Sequence, residues 1–237
     1  MERLDKLLSG TGRWSRREAA ALIKAGRVKV DGALARSRED KVPEGARVQV
    51  DGEEVDVGGL YYLMLNKPAG LVSVTDDPRQ PTVLSLLPDH LKRVGLFPAG
   101  RLDKDTVGLL LLTNDGPLAH ALLSPRRHVD KVYYVEVEGS LNEADVAAFQ
   151  EGLTLADGLE CLPAELEPLG PDRALVTLRE GKYHQIKRML AARGKPVKFL
   201  ERRSFGPLTL DPRLELGQWR PLTEEEKAAL RQARGPF

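Results

Sequence analysis

The fold of this chain is decided by the stretch Gly100-Arg101-Leu102-Asp103-Lys104-Asp105-Thr106-Val107-Gly108-Leu109-Leu110-Leu111-Leu112-Thr113-Asn114-Asp115-Gly116. A charged loop that begins with glycine runs directly into four leucines, and an Asn-Asp-Gly turn signal ends the apolar run. The pattern predicts a buried strand with a polar loop at its mouth. Because apolar or turn-forming residues surround the charged loop, which carries Arg101 and Asp103, we expect it to hold a site residue on a rigid strand, and we favour Asp103. A structural loop aspartate is the alternative.

The overall composition is typical of a soluble globular protein. The chain has 237 residues, of which 41% are hydrophobic and 30% charged, and this suffices for one good core and a small second domain. The longest apolar runs, at residues 60–65 and 109–112, are far too short to cross a bilayer, and the first residues lack the apolar core of a signal peptide. We therefore expect a cytoplasmic protein without a membrane partner.

No motif for a metal or a nucleotide cofactor is found in the sequence. Cys161 is the only cysteine, so no disulfide can form within the chain, and a lone thiol is most simply a small core residue. The four histidines show no metal-ligand spacing, and neither a Walker loop nor a Gly-x-Gly-x-x-Gly turn after a strand occurs. We expect no bound metal and no cofactor.

The net charge of +1 conceals two basic segments. Residues 1–50 carry 12 lysines and arginines against 7 acidic residues, and residues 179–203 carry 9 against 2. Local basic segments on a nearly neutral chain suit a polyanionic partner such as RNA. The simpler alternative, that either segment is an ordinary solvated surface, stays open at this point.

The first fifty residues predict a compact module of two small helices and a short sheet. Ser15 and Glu18 have the spacing of a capping box, so the second helix is expected to begin there and to end at Gly26. Short strands are expected at residues 27–30 and 46–50, each followed by an Asp-Gly turn. Five basic residues are predicted to cluster near one helix end and to bind RNA: Arg13, Arg16, Arg17, Lys24 and Arg27.

The glycine pair at residues 58–59 is expected to link this module, residues 1–57, to a second domain, residues 60–237. Strands are predicted at 60–65, 109–112, 131–137, 174–178 and 205–210, with a turn at 66–70. Helices are predicted at 117–124 and 142–151, and the segment 186–190 has helical spacing. Within the strand 131–137, Tyr133 shares a face with Val135 and Val137.

Four motifs of this chain resemble those of the pseudouridine synthases. Arg-Leu-Asp-x-x-Thr-x-Gly-Leu-Leu-Leu-Leu-Thr-Asn-Asp-Gly, at residues 101–116, resembles the catalytic motif, and Asn-Lys-Pro-x-Gly, at 66–70, is similar to the opening of the catalytic domain. Lys-x-Tyr at 131–133 resembles the second motif, and Glu-Gly-x-x-x-Gln-Ile-Lys-Arg-Met at 180–189 resembles the third. The first fifty residues resemble a small RNA-binding module that is shared with a primary RNA-binding protein of the small ribosomal subunit.

The resemblance implies an α+β protein with two parts. The first is a small N-terminal α/β RNA-binding module. The second is a catalytic domain built on a mixed, largely antiparallel sheet with flanking helices.

The same resemblance implies roles for individual side chains. Asp103 is the expected catalytic carboxylate, acting as a nucleophile or as a base toward the ribose, and both routes stay open. Lys187, the basic residue after the Gln-Ile pair, would form an ion pair that keeps Asp103 ionised. Tyr133 would stack on the uracil and assist a proton transfer. The other expected site residues are Arg101, which would fill the space of the extruded base and contact phosphate, Ile186 in the pocket wall, and Arg188 on the RNA.

The expected function is site-specific isomerisation of uridine to pseudouridine in ribosomal RNA by a cofactor-free monomer. Residues 75–78 and 81–84 look most like the branch that modifies the 16S RNA of the small subunit. A synthase acting on the 23S RNA of the large subunit and a non-catalytic rRNA-binding or ribosome-assembly factor remain alternatives. A metal-dependent nuclease is disfavoured, because no pair of carboxylates has a persuasive spacing.

Overall fold

The structure, a computed structural model, describes residues 1–43, 45–57, 59–124 and 129–234. Two compact units are present. One contains Met1–Tyr61 together with Leu87–Phe97, and the other contains Tyr62–Leu86 together with the chain from Pro98 onward. The predicted domain limits, 1–57 and 60–237, stay a prediction. Of the predicted linker, Gly58 lies outside the described residues.

The first unit has the predicted helices and strands around a small apolar core. Its elements are β1 (Glu2–Arg3), α1 (Leu4–Gly10), α2 (Arg16–Lys24), β2 (Val28–Val30), β3 (Ala33–Leu34), β4 (Lys41–Val42), β5 (Val48–Val50) and β6 (Glu53–Val55). The expected capping box is present: the Ser15 side chain accepts a hydrogen bond from the Glu18 amide, and the Glu18 carboxylate accepts one from the Ser15 amide. Strands β3-β2-β5-β6 form an antiparallel sheet, and Leu4, Leu8 and Ile23 pack into the core.

A segment far along the chain also belongs to the first unit. Leu87–Phe97 contains helix α3 (Asp89–Lys92). Strand β7 (Tyr62–Lys67) precedes this segment in the chain, and the short strand β8 (Phe97–Pro98) comes directly after α3 and its following loop. Gly12, with φ +70°, lies against this segment: a Cβ atom on Gly12 would be 2.1 Å from the His90 carbonyl oxygen. This segment falls inside the range predicted for the second domain. Its place in the first unit could not be predicted, because it depends on long-range contacts that leave no local pattern in the sequence.

The second unit is built on one large sheet. The further strands of this unit are β9 (Val107–Thr113), β10 (Lys131–Val137), β11 (Leu153–Thr154), β12 (Glu160–Cys161), β13 (Glu165–Pro168), β14 (Arg173–Leu178), β15 (Val197–Phe205), β16 (Leu208–Thr209) and β17 (Trp219–Pro221). Strands β11 and β12 pair with each other in a separate small sheet, and the others belong to the large one. The strand order is β13-β14-β10-β15-β9-β7-β17. Strands β9 and β15 pair in parallel, and the pairings on either side of them are antiparallel. The predicted mixed, largely antiparallel sheet is therefore confirmed.

In the part of the chain that the structure describes, four α-helices accompany this sheet: α4 (Gly116–Leu123), α5 (Glu143–Glu151), α6 (Gln185–Ala192) and α7 (Glu224–Arg234). Helix α5 packs on β13, α6 on β15, and α7 on α4 and β16. All seven residues of β9 and all six of β7 are buried, so the centre of the sheet is the core of the unit. Among the described residues, every helix falls short of the length and apolar character that crossing a bilayer requires.

Two details of the predicted secondary structure are wrong. The segment 205–210 is not one strand: Phe205 ends β15, Gly206 turns the chain with φ +55°, and β16 pairs back on β15. The turn expected at 66–70 begins later, because Asn66 and Lys67 are the last residues of β7 and pair with β9. The second difference matters for the site, since it places the Lys67 side chain in the sheet.

Candidate active site

The charged loop at residues 101–106 carries Asp103 at the mouth of β9, as expected. The Asp103 side chain is 28% exposed, so it is accessible to a ligand and yet partly shielded from water. Lys187, in the first turn of α6, places its Nζ atom 3.0 Å from Asp103 Oδ2. Although 84 residues separate the two in sequence, the structure brings them together as a charge-assisted hydrogen bond.

A second carboxylate shares the same lysine. Asp105 Oδ1 lies 2.5 Å from Lys187 Nζ, and this contact lowers the pKa of Asp105. Burial by itself lowers the pKa of Lys187, but the hydrogen bonds to Asp105 and Asp103 outweigh it, so the pKa is raised. The site therefore holds one firmly protonated lysine between two carboxylates. Asp105 was not predicted as a site residue, because the sequence has no signal for it beyond its place in the loop.

Lys67 binds the backbone of the loop that carries Asp103. Its side chain is fully buried, and its ammonium group donates to four backbone carbonyl groups at 2.9–3.3 Å, those of Pro68, Asp103, Lys104 and Thr106. Burial lowers the pKa of Lys67 to about 8, although nearby Asp105 and Asp103 oppose the shift. Lys67 was expected in a turn and without a role at the site, because a lysine that binds backbone carbonyl groups leaves no pairing of side chains to recognise in the sequence.

Further hydrogen bonds fix the remaining backbone of the loop. The Ser73 hydroxyl donates to the Leu102 carbonyl at 2.9 Å and accepts from the Leu102 amide at 3.1 Å. The Gly70 amide donates to the Lys104 carbonyl at 2.7 Å. These hydrogen bonds set the conformation of the loop in the free protein, so the Asp103 carboxylate is held in place before any ligand binds.

His184 approaches Asp103 from the other side. Its Nε2 atom lies 3.6 Å from Asp103 Oδ1, so the two carboxylate oxygens face different bases: Oδ2 faces Lys187 and Oδ1 faces His184. The backbone of His184 is left-handed, with φ 50° and ψ 34°. Its ring stacks on Tyr183 with centroids 3.8 Å apart. Neither residue was predicted to be part of the site.

Tyr133 lies on β10, buried among the inner residues of the sheet. Across the sheet it pairs with Arg202 of β15, and Arg202 pairs with Gly108 of β9. Two interstrand spacings therefore separate Tyr133 from Gly108, about 10 Å between Cα atoms, and Gly108 is the second residue after the loop that carries Asp103. The register between β10 and β15 shifts next to Tyr133, and such irregularities are found where a strand re-aims a side chain near a site.

Comparison with known proteins identifies this arrangement. A model of the RNA pseudouridylate synthase family matches residues 61–192, and an S4 domain model matches residues 2–48. The chain belongs to the RNA pseudouridylate synthase family. This confirms both the family and the enzyme class that the motifs predicted, and the chain is an RNA pseudouridine synthase with an N-terminal S4 domain.

The similarity to relatives covers nearly the whole synthase. An uncharacterized RNA pseudouridine synthase of Bacillus subtilis is 47% identical, over 94% of this chain and 96% of its own length. The ribosomal small subunit pseudouridine synthase A of Pseudomonas aeruginosa is 46% identical, over 94% of this chain and 98% of its own. A crystal structure of a pseudouridylate synthase aligns with a TM-score of 0.70 at 37% identity, covering 97% of this chain and 100% of that one.

The remaining predicted residues of the synthase site have varied surroundings. Ile186 is buried on α6 beside Lys187. Arg188, expected to face RNA, binds Asp157 at 2.6 Å. Arg101 is exposed, and within the described residues no carboxylate pairs with it. The same part of the chain contains no cluster of histidine, cysteine and acidic side chains that could hold a metal ion.

The predicted basic residues of the first unit are all on its surface. Arg13, Arg16, Arg17 and Lys24 are exposed. Arg27 is also exposed but binds Asp51 through two hydrogen bonds of 2.7 and 2.5 Å. Four of the five side chains are thus available to a phosphate backbone, whereas Arg27 would first have to exchange its partner.

Proposed function

We propose that this synthase isomerises one specific uridine of 16S ribosomal RNA to pseudouridine, with Asp103 as the catalytic carboxylate. The observation that carries the proposal is the Asp103–Lys187 contact of 3.0 Å, within a loop whose backbone is bound by Lys67 and Ser73. Support for the small-subunit RNA comes from the Pseudomonas aeruginosa relative and from residues 75–78 and 81–84. The synthase acts in the cytoplasm as a monomer.

The reaction is an internal rearrangement, so it needs no redox partner. The bond from the ribose to uracil N1 breaks, the detached uracil turns, and the ribose bonds to carbon-5 instead. The carbon-5 hydrogen leaves as a proton, and N1 gains one. Asp103 takes part as nucleophile or as base toward the ribose. Lys187 keeps the carboxylate ionised when the bound nucleotide displaces water, because burial alone favours the neutral acid.

The other residues hold the substrate. Tyr133 stacks on the uracil and assists the transfer of its carbon-5 proton, and Ile186 forms an apolar wall of the pocket. Arg101 fills the space that the extruded nucleotide leaves and contacts phosphate. Residues 1–57 form an RNA-binding domain, in which Arg13, Arg16, Arg17, Lys24 and Arg27 contact the backbone, with Arg188 as a further contact in the domain 60–237.

The test is tritium release from small-subunit RNA that carries label at carbon-5 of its uridines. We expect the wild type to release tritium in a total amount that corresponds to one uridine per RNA, with the time course of a single site. We expect no release by Asp103→Asn. Asp172→Asn, which alters a half-exposed aspartate paired with Arg173, should retain wild-type release. Measurements on free 16S RNA and on assembling small subunits identify the substrate form.

The outcomes separate the alternatives. Turnover by Asp103→Asn would contradict the role of Asp103. Release from 23S RNA but not from 16S RNA would make the protein a large-subunit synthase. Binding of either RNA without any release would favour a non-catalytic assembly factor.

A further inference from the structure

Tyr183 exposes an aromatic ring to solvent close to the candidate active site. Its exposed fraction is 75%, and Phe199, the other aromatic residue left exposed in the described ranges, has 38%. Burying an aromatic side chain is among the larger contributions to stability. A ring that is left this exposed contributes little to the core, so its position needs another explanation.

The ring is nevertheless held in one orientation. Tyr183 stacks on the imidazole of His184, with centroids 3.8 Å apart and planes inclined by 17°. The imidazole covers one face of the phenol ring, and the high exposure of Tyr183 leaves the opposite face open to solvent. The synthase therefore presents a flat, oriented aromatic surface, and no stacking partner other than His184 covers it within the described residues.

His184 connects this surface to the catalytic carboxylate. Its Nε2 atom is 3.6 Å from Asp103 Oδ1, so carboxylate, imidazole and phenol follow one another outward from the site. The left-handed backbone of His184 is a conformation that residues other than glycine rarely adopt and that is concentrated at functional sites. Here it lies immediately before α6, the helix that carries Lys187.

We propose that Tyr183, supported by His184, is a stacking subsite for an unpaired nucleobase that neighbours the target uridine in the RNA. The inference rests on the proposed function, because isomerisation requires the target to leave its stack. Its neighbour in the RNA then loses a stacking partner. An aromatic ring replaces that partner for any of the four bases, since each base has a flat π face.

The experiment measures kcat and KM on the shortest 16S RNA fragment that the wild type modifies. We expect Tyr183→Ala to raise KM about tenfold, with kcat changed less than twofold, and Tyr183→Phe to behave as the wild type because the ring is retained. Phe199→Ala is the matched control. Phe199 lies on the sheet face of Tyr134, whose ring it meets edge-on, and this face is opposite that of Tyr133.

A second set of substrates locates the base. Each nucleotide within two positions of the target is replaced in turn by an abasic one. At one of these positions the wild type should lose the tenfold advantage, so that wild type and Tyr183→Ala have the same KM. At the other positions the difference between the two proteins should persist. The proposal would be wrong if Tyr183→Ala had the KM of the wild type. It would also be wrong if the difference in KM between the two proteins were the same with every abasic substrate.

The support from His184 is tested by binding of the same fragment to proteins that also carry Asp103→Asn. His184→Gly keeps the left-handed backbone but removes the ring, and should weaken binding severalfold. His184→Phe keeps a ring beneath Tyr183 and should bind more tightly than His184→Gly. Equal affinity of the two variants would contradict a supporting role of His184.

The failure of this inference can be distinguished from the failure of the proposed function. If the wild type releases no tritium, the proposed function is wrong. If the wild type is active and Tyr183→Ala has an unchanged KM, the proposed function holds and the stacking subsite is wrong.

Discussion

Lys67 is a buried cation whose contacts are backbone carbonyl groups. Burial favours the neutral amine, and it lowers the pKa of Lys67 to about 8, against about 10.4 for a lysine in water. Because the folded protein binds this proton less tightly than the unfolded chain, the buried charge costs stability below pH 8. That cost disappears as the pH rises from about 8 to about 10.4.

The activity should respond in the opposite sense. Above pH 8 the ammonium group becomes an amine with two donors instead of three, so the carbonyl groups of Asp103 and Thr106 are held less firmly. We expect kcat to halve near pH 8 and to fall about tenfold by pH 9. The measurement is a pH profile of kcat from pH 6 to 9.5 at saturating RNA.

Lys67→Met provides the comparison for this profile. Its kcat should be about 100-fold lower at pH 7, because the loop loses the group that orients it, and the decline near pH 8 should be absent. A Lys67→Met enzyme that keeps the wild-type decline would assign that decline to another group.

At the scale of elements, the parallel pairing of β9 and β15 depends on one glycine. Gly108 has φ +100°, and a Cβ atom on it would lie 2.4 Å from the carbonyl oxygen and 2.8 Å from the amide nitrogen of Arg202. Both contacts are with backbone, which cannot move away as a side chain can. A glycine is therefore required at position 108, where the two strands meet.

Gly108→Ala should destabilise the fold by about 3 kcal/mol, from the strained backbone and the overlap with β15 together. Gly217→Ala is the control, since Gly217 has φ +89° but a Cβ atom added to it would meet no atom within 4 Å, and it should cost about 1 kcal/mol. Urea unfolding of the three proteins gives the free energies. Equal costs for the two variants would show that the contact with Arg202 is unimportant.

The same two strands mark where sequence reasoning succeeds and where it stops. Strand β9 was predicted because four consecutive leucines between turn signals have few other interpretations. Strand β15 was not, because Arg202 lies at a buried position among charged neighbours and breaks the apolar alternation. Its Nε atom donates to the Leu109 carbonyl at 2.8 Å, a contact across 93 residues that no local pattern contains.

The candidate site divides in a similar way. The Asp103–Lys187 pair was expected from the resemblance of two motifs, and the structure brings these side chains together. The roles of Lys67, Asp105 and His184 were not expected. Each depends on where the loop and the start of α6 lie in space. The partners of Lys67 are backbone carbonyl groups, which every residue type has, so its contacts require no particular second residue in the sequence.

At the scale of the whole molecule, the two basic segments differ in how many of their lysines and arginines are paired with carboxylates. In the second segment, most cations are bound within the protein. Lys187 contacts Asp103 and Asp105, and further ion pairs join Arg179 to Asp130, Lys182 to Glu180, Arg188 to Asp157, Arg193 to Asp145 and Arg203 to Glu201. Much of this positive charge is paired with carboxylates of the same protein and gives little net attraction for a polyanion.

The first segment keeps its charge available. Arg13, Arg16 and Arg17 are exposed, and within the described ranges no carboxylate oxygen is at ion-pair distance from them. Phosphate contacts release counterions from RNA, so the affinity falls with salt in proportion to the number of contacts. The dependence of RNA affinity on salt should therefore arise mainly from the first segment.

Replacing Arg13, Arg16 and Arg17 together by glutamine should weaken binding of the 16S fragment and lower the slope of log Kd against log salt by about 1 for each lost contact, up to about 3 in total. The control replaces Lys29, Arg38 and Lys41, which are also exposed in the first unit, and removes the same charge. Equal slopes for the two triple variants would show that binding responds to overall charge and has no dedicated arginine surface. A lower slope for the first variant alone, with the same kcat at saturating RNA, would establish these arginines as an anchor separate from the chemistry at Asp103.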